Sequence, residues 1–337
     1  ACLFTSNKIQ AAPLKLSKVH LKKSKLFQAI IANSGNANCF TGKQGYLDAQ
    51  ATVAAVAKEL GINRETILVA STGIIGRRLQ VNKIKDALPL LAKGLSGTGI
   101  EQAKKAIMTT DTFAKAVAVQ AKINGKIITV TGIAKGVGMI APNLATMLVF
   151  IFTDAEVSQA ALKESLKEAV DKSFNCISVD GCMSTNDTVA ILANGQAGNL
   201  MINTGSSLAL FGKALNTVCL ELAKLLVKDG EGAAKFIQIK VAGAKNFSQA
   251  KKAALSVANS NLFKTAVYGE NPNFGRIIAA VGASGIEVKE EDLKVKVSPL
   301  EKKDIFVDIR LNQGRASAVV YTCDLTPEYI RINAEYN

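Results

Sequence analysis

Gly132-Ile-Ala-Lys-Gly-Val-Gly-Met-Ile-Ala-Pro-Asn-Leu-Ala-Thr-Met-Leu-Val-Phe-Ile-Phe-Thr153 decides how the chain is read. Glycines and Pro142 crowd its first half and imply an irregular backbone, whereas the apolar run Met147–Phe152 reads as a short buried strand. The pair Ala145-Thr146 therefore falls where a loop becomes a rigid central element. A side chain on such an element can be held in productive geometry. The plain alternative is a threonine that opens a strand in an ordinary fold.

Working outward, Asn124-Gly125 sits between Ala116–Ile123 and Lys126–Gly132, the strongest short hairpin signal a sequence offers. Upstream, 3–6, 27–32 and 67–70 read as strands, Leu16–Leu26 alternates like an edge strand and turn, and Tyr46–Leu60 has helical periodicity stopped by Gly61. Further helices are expected over 81–93 and 100–108. Downstream come a helix over Val157–Lys172, a strand over Thr188–Ala193 and a long helix marked by Leu208, Phe211, Leu215, Val218, Leu222 and Leu225. Then follow a strand (Phe236–Ala242), a helix (Ser248–Val257), a strand (Lys264–Tyr268) and a helix after the polar loop Gly269–Arg276. Asp304–Leu311 and Ala316–Thr322 alternate around Asn312-Gln-Gly314 as a second hairpin. Strands and helices in mixed order with local hairpins predict an α/β (α+β) layered sandwich with mixed, largely antiparallel sheets. A core over 1–235 and a smaller α/β subdomain over 236–337 are expected.

Composition narrows the chemistry. A hydrophobic content of 48% with 20% charged residues is that of a globular chain, and no apolar run approaches the ~20 residues of a membrane helix. The six cysteines lie far apart without a C-x-x-C, which argues against a metal knuckle or a disulfide framework and for reduced thiols in a cytoplasmic protein. The lone histidine, His20, leaves few histidine metal sites and makes any serine–histidine triad depend on it. A net charge of +14 invites a nucleic-acid reading, but the lysines are scattered and lack interleaved aromatics, so a surface suited to acidic metabolites is preferred. Because the chain starts at Ala1 without Met, in what reads as a strand, further residues are expected before it.

Three polar loops, 33–42, 71–76 and 175–188, are rich in asparagine, glycine, serine and threonine. They can satisfy their own backbones, or they can converge as neutral hydrogen-bond donors around a small polar substrate. Ser71-Thr72-Gly73 at a strand end could offer one hydroxyl and one N–H to a developing oxyanion. Gly94-Leu-Ser-Gly-Thr-Gly99 lacks the Gly-Lys-Ser/Thr ending of a phosphate loop and reads as a turn flanking helices. A nucleophilic threonine needs a base, and its own α-amine, with an unperturbed pKa of ~7.7–8.0, would serve if the bond Ala145–Thr146 were cut.

The chain resembles the ornithine acetyltransferase (glutamate N-acetyltransferase) family of arginine biosynthesis over nearly its whole length. The motifs that carry the resemblance are Asn33-Ser-Gly-Asn-Ala-Asn38, Ser71-Thr-Gly73, Thr109-Thr-Asp-Thr112, Lys135-Gly-Val-Gly-Met-Ile-Ala-Pro-Asn-Leu-Ala-Thr-Met-Leu148, Ser184-Thr-Asn-Asp-Thr188, Asp229-Gly-Glu-Gly-Ala233, Asn271-Pro-Asn-Phe-Gly-Arg276 and Asp324-Leu-Thr with Ile332-Asn-Ala-Glu-Tyr336. Each alone is weak; in this order they are specific.

The resemblance implies self-cleavage between Ala145 and Thr146, giving an α chain (1–145) and a β chain (146–337) that stay associated, with dimers of that pair, a heterotetramer, expected. Thr146 would be the N-terminal nucleophile of a ping-pong transfer from N-acetylornithine to glutamate, releasing ornithine and N-acetylglutamate through an acetyl-threonine. Thr72 and Gly73 match the family's oxyanion hole, Lys135 a substrate-binding lysine, Glu231 the carboxylate that holds the substrate amine, and Asn333 an asparagine lining the site. The substrate-binding threonine is Thr110 or Thr112. No cofactor and no metal are implied, acetyl-CoA being left open as a second donor, and neither nucleic acid nor membrane is an expected partner. Departures include Cys176 and Cys182 where charges are expected, Asn271 where aspartate is common, a short stretch between Ile286 and Asp304, and an end at Asn337 ahead of a terminal hydroxyl residue. The alternative is a self-cleaving N-terminal-nucleophile aminopeptidase or amidase; a basic nucleic-acid binder is a third reading.

Overall fold

The structure is a computed structural model that describes residues 1–141 and 147–335. In chain order its elements are β1 (Cys2–Phe4), α1 (Ala12–Lys23), β2 (Ala29–Asn33), α2 (Gly42–Leu60), β3 (Ile67–Ser71), α3 (Val81–Lys93), α4 (Ile100–Ala106), β4 (Lys115–Ile123), β5 (Lys126–Lys135) and β6 (Leu148–Thr153). There follow α5 (Gln159–Lys172), β7 (Thr188–Ala193), α6 (Gly205–Lys228), β8 (Phe236–Ala244), α7 (Phe247–Ala258), α8 (Asn261–Tyr268), α9 (Phe274–Gly282), β9 (Lys294–Val297), β10 (Asp304–Arg310), β11 (Ala316–Cys323) and α10 (Pro327–Glu335). The chain is thus mixed α/β with mixed sheets. Two compact units interleave in sequence: one takes 1–136, 143–170 and 183–222, the other 137–142, 171–182 and 223–337. The segment 236–337 is one part of the second unit.

In the first unit the sheet order is β1-β7-β6-β5-β4, beside a parallel pair β2-β3. β6 lies at its centre, antiparallel to β5 and parallel to β7, and five of its six residues are buried. Burial on both faces is why this strand reads as a continuous apolar run and not as an alternation. The hairpin β4–β5 forms as the Asn-Gly signal requires, with Asn124 at φ 50° and Gly125 at φ 77°, the left-handed pair of a type I′ turn. α2 ends on Gly61 at φ 64°, whose N–H caps the Ala57 carbonyl.

The expected edge strand over Leu16–Leu26 is instead α1. Its buried stripe passes through Leu14, Ser17 and His20, and the two polar members conceal the helical period. Ser17 Oγ takes the N–H of Val69 and donates to that residue's carbonyl, both at 2.9 Å, so the helix satisfies the β3 backbone. His20 Nδ1 lies 2.8 Å from the Ile67 carbonyl oxygen. His20 is therefore built into the core as a backbone partner.

The second unit holds the sheet β11-β8-β10-β9. The hairpin expected around Asn312-Gln-Gly314 is corrected here. β8 lies between the two strands, β10 running parallel and β11 antiparallel to it. The connection passes the end of β8, with Leu311 N–H bonding Ala242 and Gln313 and Gly314 N–H both bonding Gly243. Gly314 packs so closely that a Cβ would lie 2.4 Å from the Ala244 carbonyl oxygen. The strand expected over Lys264–Tyr268 is the end of α8, capped by Ser260 accepting from Phe263 N–H. Its β-branched residues are overruled by the cap and by packing of Phe263 and Val267 one turn apart.

Candidate active site

In the first unit, β3 ends at Ser71 and hands the chain to Thr72 and Gly73, while β5 ends at Lys135. Lys135 pairs in register with Leu148 of β6. The lysine is 2% exposed, and its Nζ donates to Thr72 Oγ1 at 3.1 Å and to Thr109 Oγ1 at 2.9 Å. An ammonium only donates, so both hydroxyl oxygens act as acceptors. Among the described residues nothing accepts a bond from the Thr72 hydroxyl, although Thr72 is buried.

Behind Lys135 sits Asp111. Its Oδ1 accepts from Lys115 Nζ at 2.7 Å and from Gly136 N–H at 2.8 Å, and its Oδ2 from Thr109 N–H at 3.1 Å. Burial pushes the Asp111 carboxyl upward, but Lys115 and Lys135, with the Lys115 and Gly136 hydrogen bonds, outweigh it and leave the acid below its ordinary value. The carboxylate is therefore ionised at neutral pH. The motif Thr109–Thr112 points to Thr110 or Thr112 and assigns no role to Thr109 or Asp111 within it, nor to Lys115 beyond it. The signal was the polar pair Asp111 and Lys115 at the two ends of a turn into a strand. Thr110 is half-buried and Thr112 exposed, and both have partners.

Gly73 has φ 129°, and a Cβ there would lie 2.2 Å from the Gly35 carbonyl carbon and 2.5 Å from the Asn36 nitrogen. Only glycine lets the 71–76 loop meet the 33–42 loop this closely. Gly73→Ala is expected to cost about 3 kcal/mol of stability, read by denaturant unfolding, since backbone and not a mobile side chain stands in the way. Unchanged stability would contradict this packing. The polar loops do converge, largely by satisfying one another. Ser71 Oγ donates to Asn33 Oδ1 at 2.6 Å, and Asn186 Nδ2 donates to the carbonyls of Ala37 and Ser71 at 2.7 and 2.8 Å.

Ala145 and Thr146 lie outside the described residues. The next residue, Met147, is held on both sides: its N–H donates to Asp187 Oδ1 at 2.8 Å and its carbonyl accepts from Thr188 N–H at 3.1 Å. Asp187 is wholly buried, and among the described residues its Oδ2 has no hydrogen-bond partner. Burial pushes this carboxyl from 3.8 up to about 8, against the Met147 hydrogen bond, the Thr5 hydroxyl and the field of Lys135. Between those values the native protein binds more protons than the unfolded chain, so Asp187 removes stability as pH rises through the window. Asp187→Asn is expected to keep the Met147 bond and flatten that slope. Urea unfolding at pH 5 and pH 7.5 should show the variant gaining on the wild type by on the order of several kcal/mol, and a constant difference would contradict it.

The second unit gathers Glu231 and Asn333. Glu231 N–H bonds the Val137 carbonyl at 2.9 Å, and its carboxylate lies so near Gly138 that a Cβ there would be 2.3 Å from Oε2. Asn333 Nδ2 donates to Glu231 Oε2 at 3.0 Å and to the Tyr329 carbonyl at 3.0 Å. Gly232 at φ 69° allows α10 to approach, since a Cβ would lie 2.4 Å from Tyr329 N. Asp180 accepts from the Met139 N–H at 2.6 Å and from the Tyr329 hydroxyl at 3.3 Å. Burial and then Asp180 push the Tyr329 hydroxyl far above its usual pKa, so it stays a neutral donor. Within this unit a half-buried carboxylate and an exposed amide form a polar pair suited to an ammonium group. Among the described residues no group of three or more His, Cys, Asp or Glu could hold a metal ion, and no helix is long and apolar enough to cross a membrane.

The chain belongs to the ArgJ family, whose model matches residues 1–302 and 297–337. It is 45% identical to the arginine biosynthesis bifunctional protein ArgJ of Oceanobacillus iheyensis, over 100% of this chain and 87% of that one. It is 46% identical to the glutamate N-acetyltransferase of Methanocaldococcus jannaschii, over 99% and 90%. A crystal structure of the arginine biosynthesis bifunctional protein ArgJ of Bacillus halodurans is similar with a TM-score of 0.54 at 36% identity, covering 56% of this chain and 98% of that one.

Proposed function

We propose that this protein is an N-acetyltransferase of arginine biosynthesis that moves the acetyl group of N-acetylornithine to glutamate. In this reading Thr146 is the nucleophile and is freed by cleavage of its own bond to Ala145, as in N-terminal-nucleophile enzymes. The Thr146 hydroxyl attacks the acetyl carbonyl while its α-amine takes the proton. The tetrahedral intermediate collapses, the proton passes to the departing nitrogen, and ornithine leaves an acetyl-threonine. Glutamate's amine then attacks that ester and restores the hydroxyl.

The observation that carries this reading is the buried Thr72 hydroxyl, held on its acceptor side by Lys135 and with its own proton uncommitted among the described residues. With Gly73 N–H beside it, this is the donor an oxyanion requires. Within the second unit Glu231 and Asn333 suit an ammonium group; within the first, Thr110 or Thr112 is the substrate-binding threonine of this reading. The two segments stay together, as a dimer of the pair, in the cytoplasm. No cofactor takes part in this reading, and the same assay with acetyl-CoA in place of N-acetylornithine tests for a second acetyl donor.

Incubation of the purified protein with N-acetylornithine and glutamate tests the proposal. N-acetylglutamate and ornithine should appear in equal amounts. Free acetate without transfer would favour an aminopeptidase- or amidase-type reaction instead.

A further inference from the structure

Thr72 does not set its own orientation. A buried threonine hydroxyl has one proton and can usually rotate it among several neighbours. Here Lys135 Nζ occupies the acceptor side at 3.1 Å and offers no acceptor in return, so the proton is turned away from the lysine. Lys135 is in turn fixed by Thr109 Oγ1 at 2.9 Å, and Thr109 is fixed by its N–H on Asp111 Oδ2 at 3.1 Å. Asp111 Oδ1 also binds the N–H of Gly136, the residue that follows Lys135, at 2.8 Å. One carboxylate thus grips the chain on both sides of the Lys135–Thr109 contact. Lys115, fully buried, closes the set from β4: its Nζ binds Asp111 Oδ1 at 2.7 Å and the Phe113 carbonyl at 3.3 Å, and lies 4.8 Å from the Phe113 ring centre.

We propose that Asp111, anchored by Lys115, is a positioning residue that acts through Lys135 to aim the Thr72 hydroxyl proton at the developing oxyanion. This rests on the reading of Thr72 as an oxyanion donor. It assigns Lys135 a task directed at Thr72, in addition to any contact with substrate. A hydroxyl whose oxygen already accepts from an ammonium is also a stronger donor, because the two bonds polarise each other. The arrangement needs no rearrangement at the moment of reaction, which is the condition under which such a donor is most effective.

A double-mutant cycle between Asp111→Asn and Thr72→Val in the full chain tests it, with kcat normalised to the cleaved fraction on a denaturing gel. Asp111→Asn is expected to lower kcat by roughly 10- to 100-fold while KM for N-acetylornithine moves less than about threefold. In the Thr72→Val background the same substitution should cost almost nothing, since the hydroxyl it aims is gone. A purely structural role for Asp111 would multiply the two losses, and that result would overturn the inference while leaving Thr72 as an oxyanion donor. Wild-type kcat in Thr72→Val would overturn the oxyanion reading itself. Where Thr72→Val also blocks cleavage, Lys135→Met, which removes the group through which Asp111 acts on Thr72, replaces it in the cycle with the same non-additivity expected. Should Asp111→Asn fail to fold, Thr109→Val, which removes only a hydroxyl beside Lys135, takes its place with the same expectation.

Discussion

Thr146→Ala is expected to leave one band of 337 residues on a denaturing gel and no detectable acetyl transfer, where the wild type is expected to give bands of 145 and 192 residues. The methyl group cannot attack the carbonyl of Ala145, so no α-amine is released, and it cannot accept an acetyl group in the second reaction. Loss of one side chain therefore removes both chemistries. Thr146→Ser separates them: it keeps a hydroxyl and should still cleave and transfer, at reduced rates. The surroundings should survive the exchange to alanine. Met147 is held by Asp187 and Thr188, and β6 beyond it is buried at the sheet centre, so the anchor of the segment does not depend on residue 146. A soluble, folded, uncleaved protein is the expected form. Active protein with the threonine removed would contradict the mechanism.

Lys135→Met is expected to lower kcat/KM by about 10²- to 10³-fold, the scale for loss of an oxyanion donor or of the group that orients one. Methionine approximates the length of the lysine stem but leaves the Thr72 and Thr109 hydroxyls without their shared donor. It also takes from Asp111 one of the two cations that hold it ionised, leaving Lys115. Steady-state kinetics with N-acetylornithine and glutamate check the loss, and circular dichroism checks the fold. Lys135→Arg should not restore activity. A guanidinium would have to place a wider, planar group in a site where the lysine is 2% exposed. Full activity in Lys135→Met would remove the account of Thr72 orientation.

Much of the fold was legible because hydrophobic period and turn chemistry agreed with the tertiary structure. The Asn124-Gly125 hairpin, the Gly61 stop and the apolar run of β6 are local signals that burial reinforces. Errors arose where the buried face is polar or the partner distant. Ser17 and His20 face β3 and bond its backbone, so a pattern that counts only apolar residues reads α1 as a strand. β10 and β11 carry correct strand patterns, but nothing local reveals that β8, far upstream, enters between them.

The candidate site divides in the same way. Thr72, Lys135, Glu231 and Asn333 were reached through motifs, and the structure places Thr72 against Lys135 and Glu231 against Asn333. The contact of Thr109 with Lys135, 26 residues on, was not legible, because Thr109 lies before β4 in a turn that Asp111 holds against the Gly136 N–H. Asp187 was hidden for a related reason. Its role comes from complete burial and one backbone bond to Met147, and in the sequence it is an ordinary aspartate of a polar loop.

The central claim is that acetyl passes through Thr146. Incubation of wild-type protein with N-acetylornithine alone, followed by intact-mass measurement of both segments, tests it directly. The account predicts that the 146–337 segment gains the mass of one acetyl group, that the label lies on its first residue, and that adding glutamate removes it as N-acetylglutamate forms. An unmodified 146–337 segment under turnover conditions, or acetyl on any other residue that glutamate discharges, would contradict it.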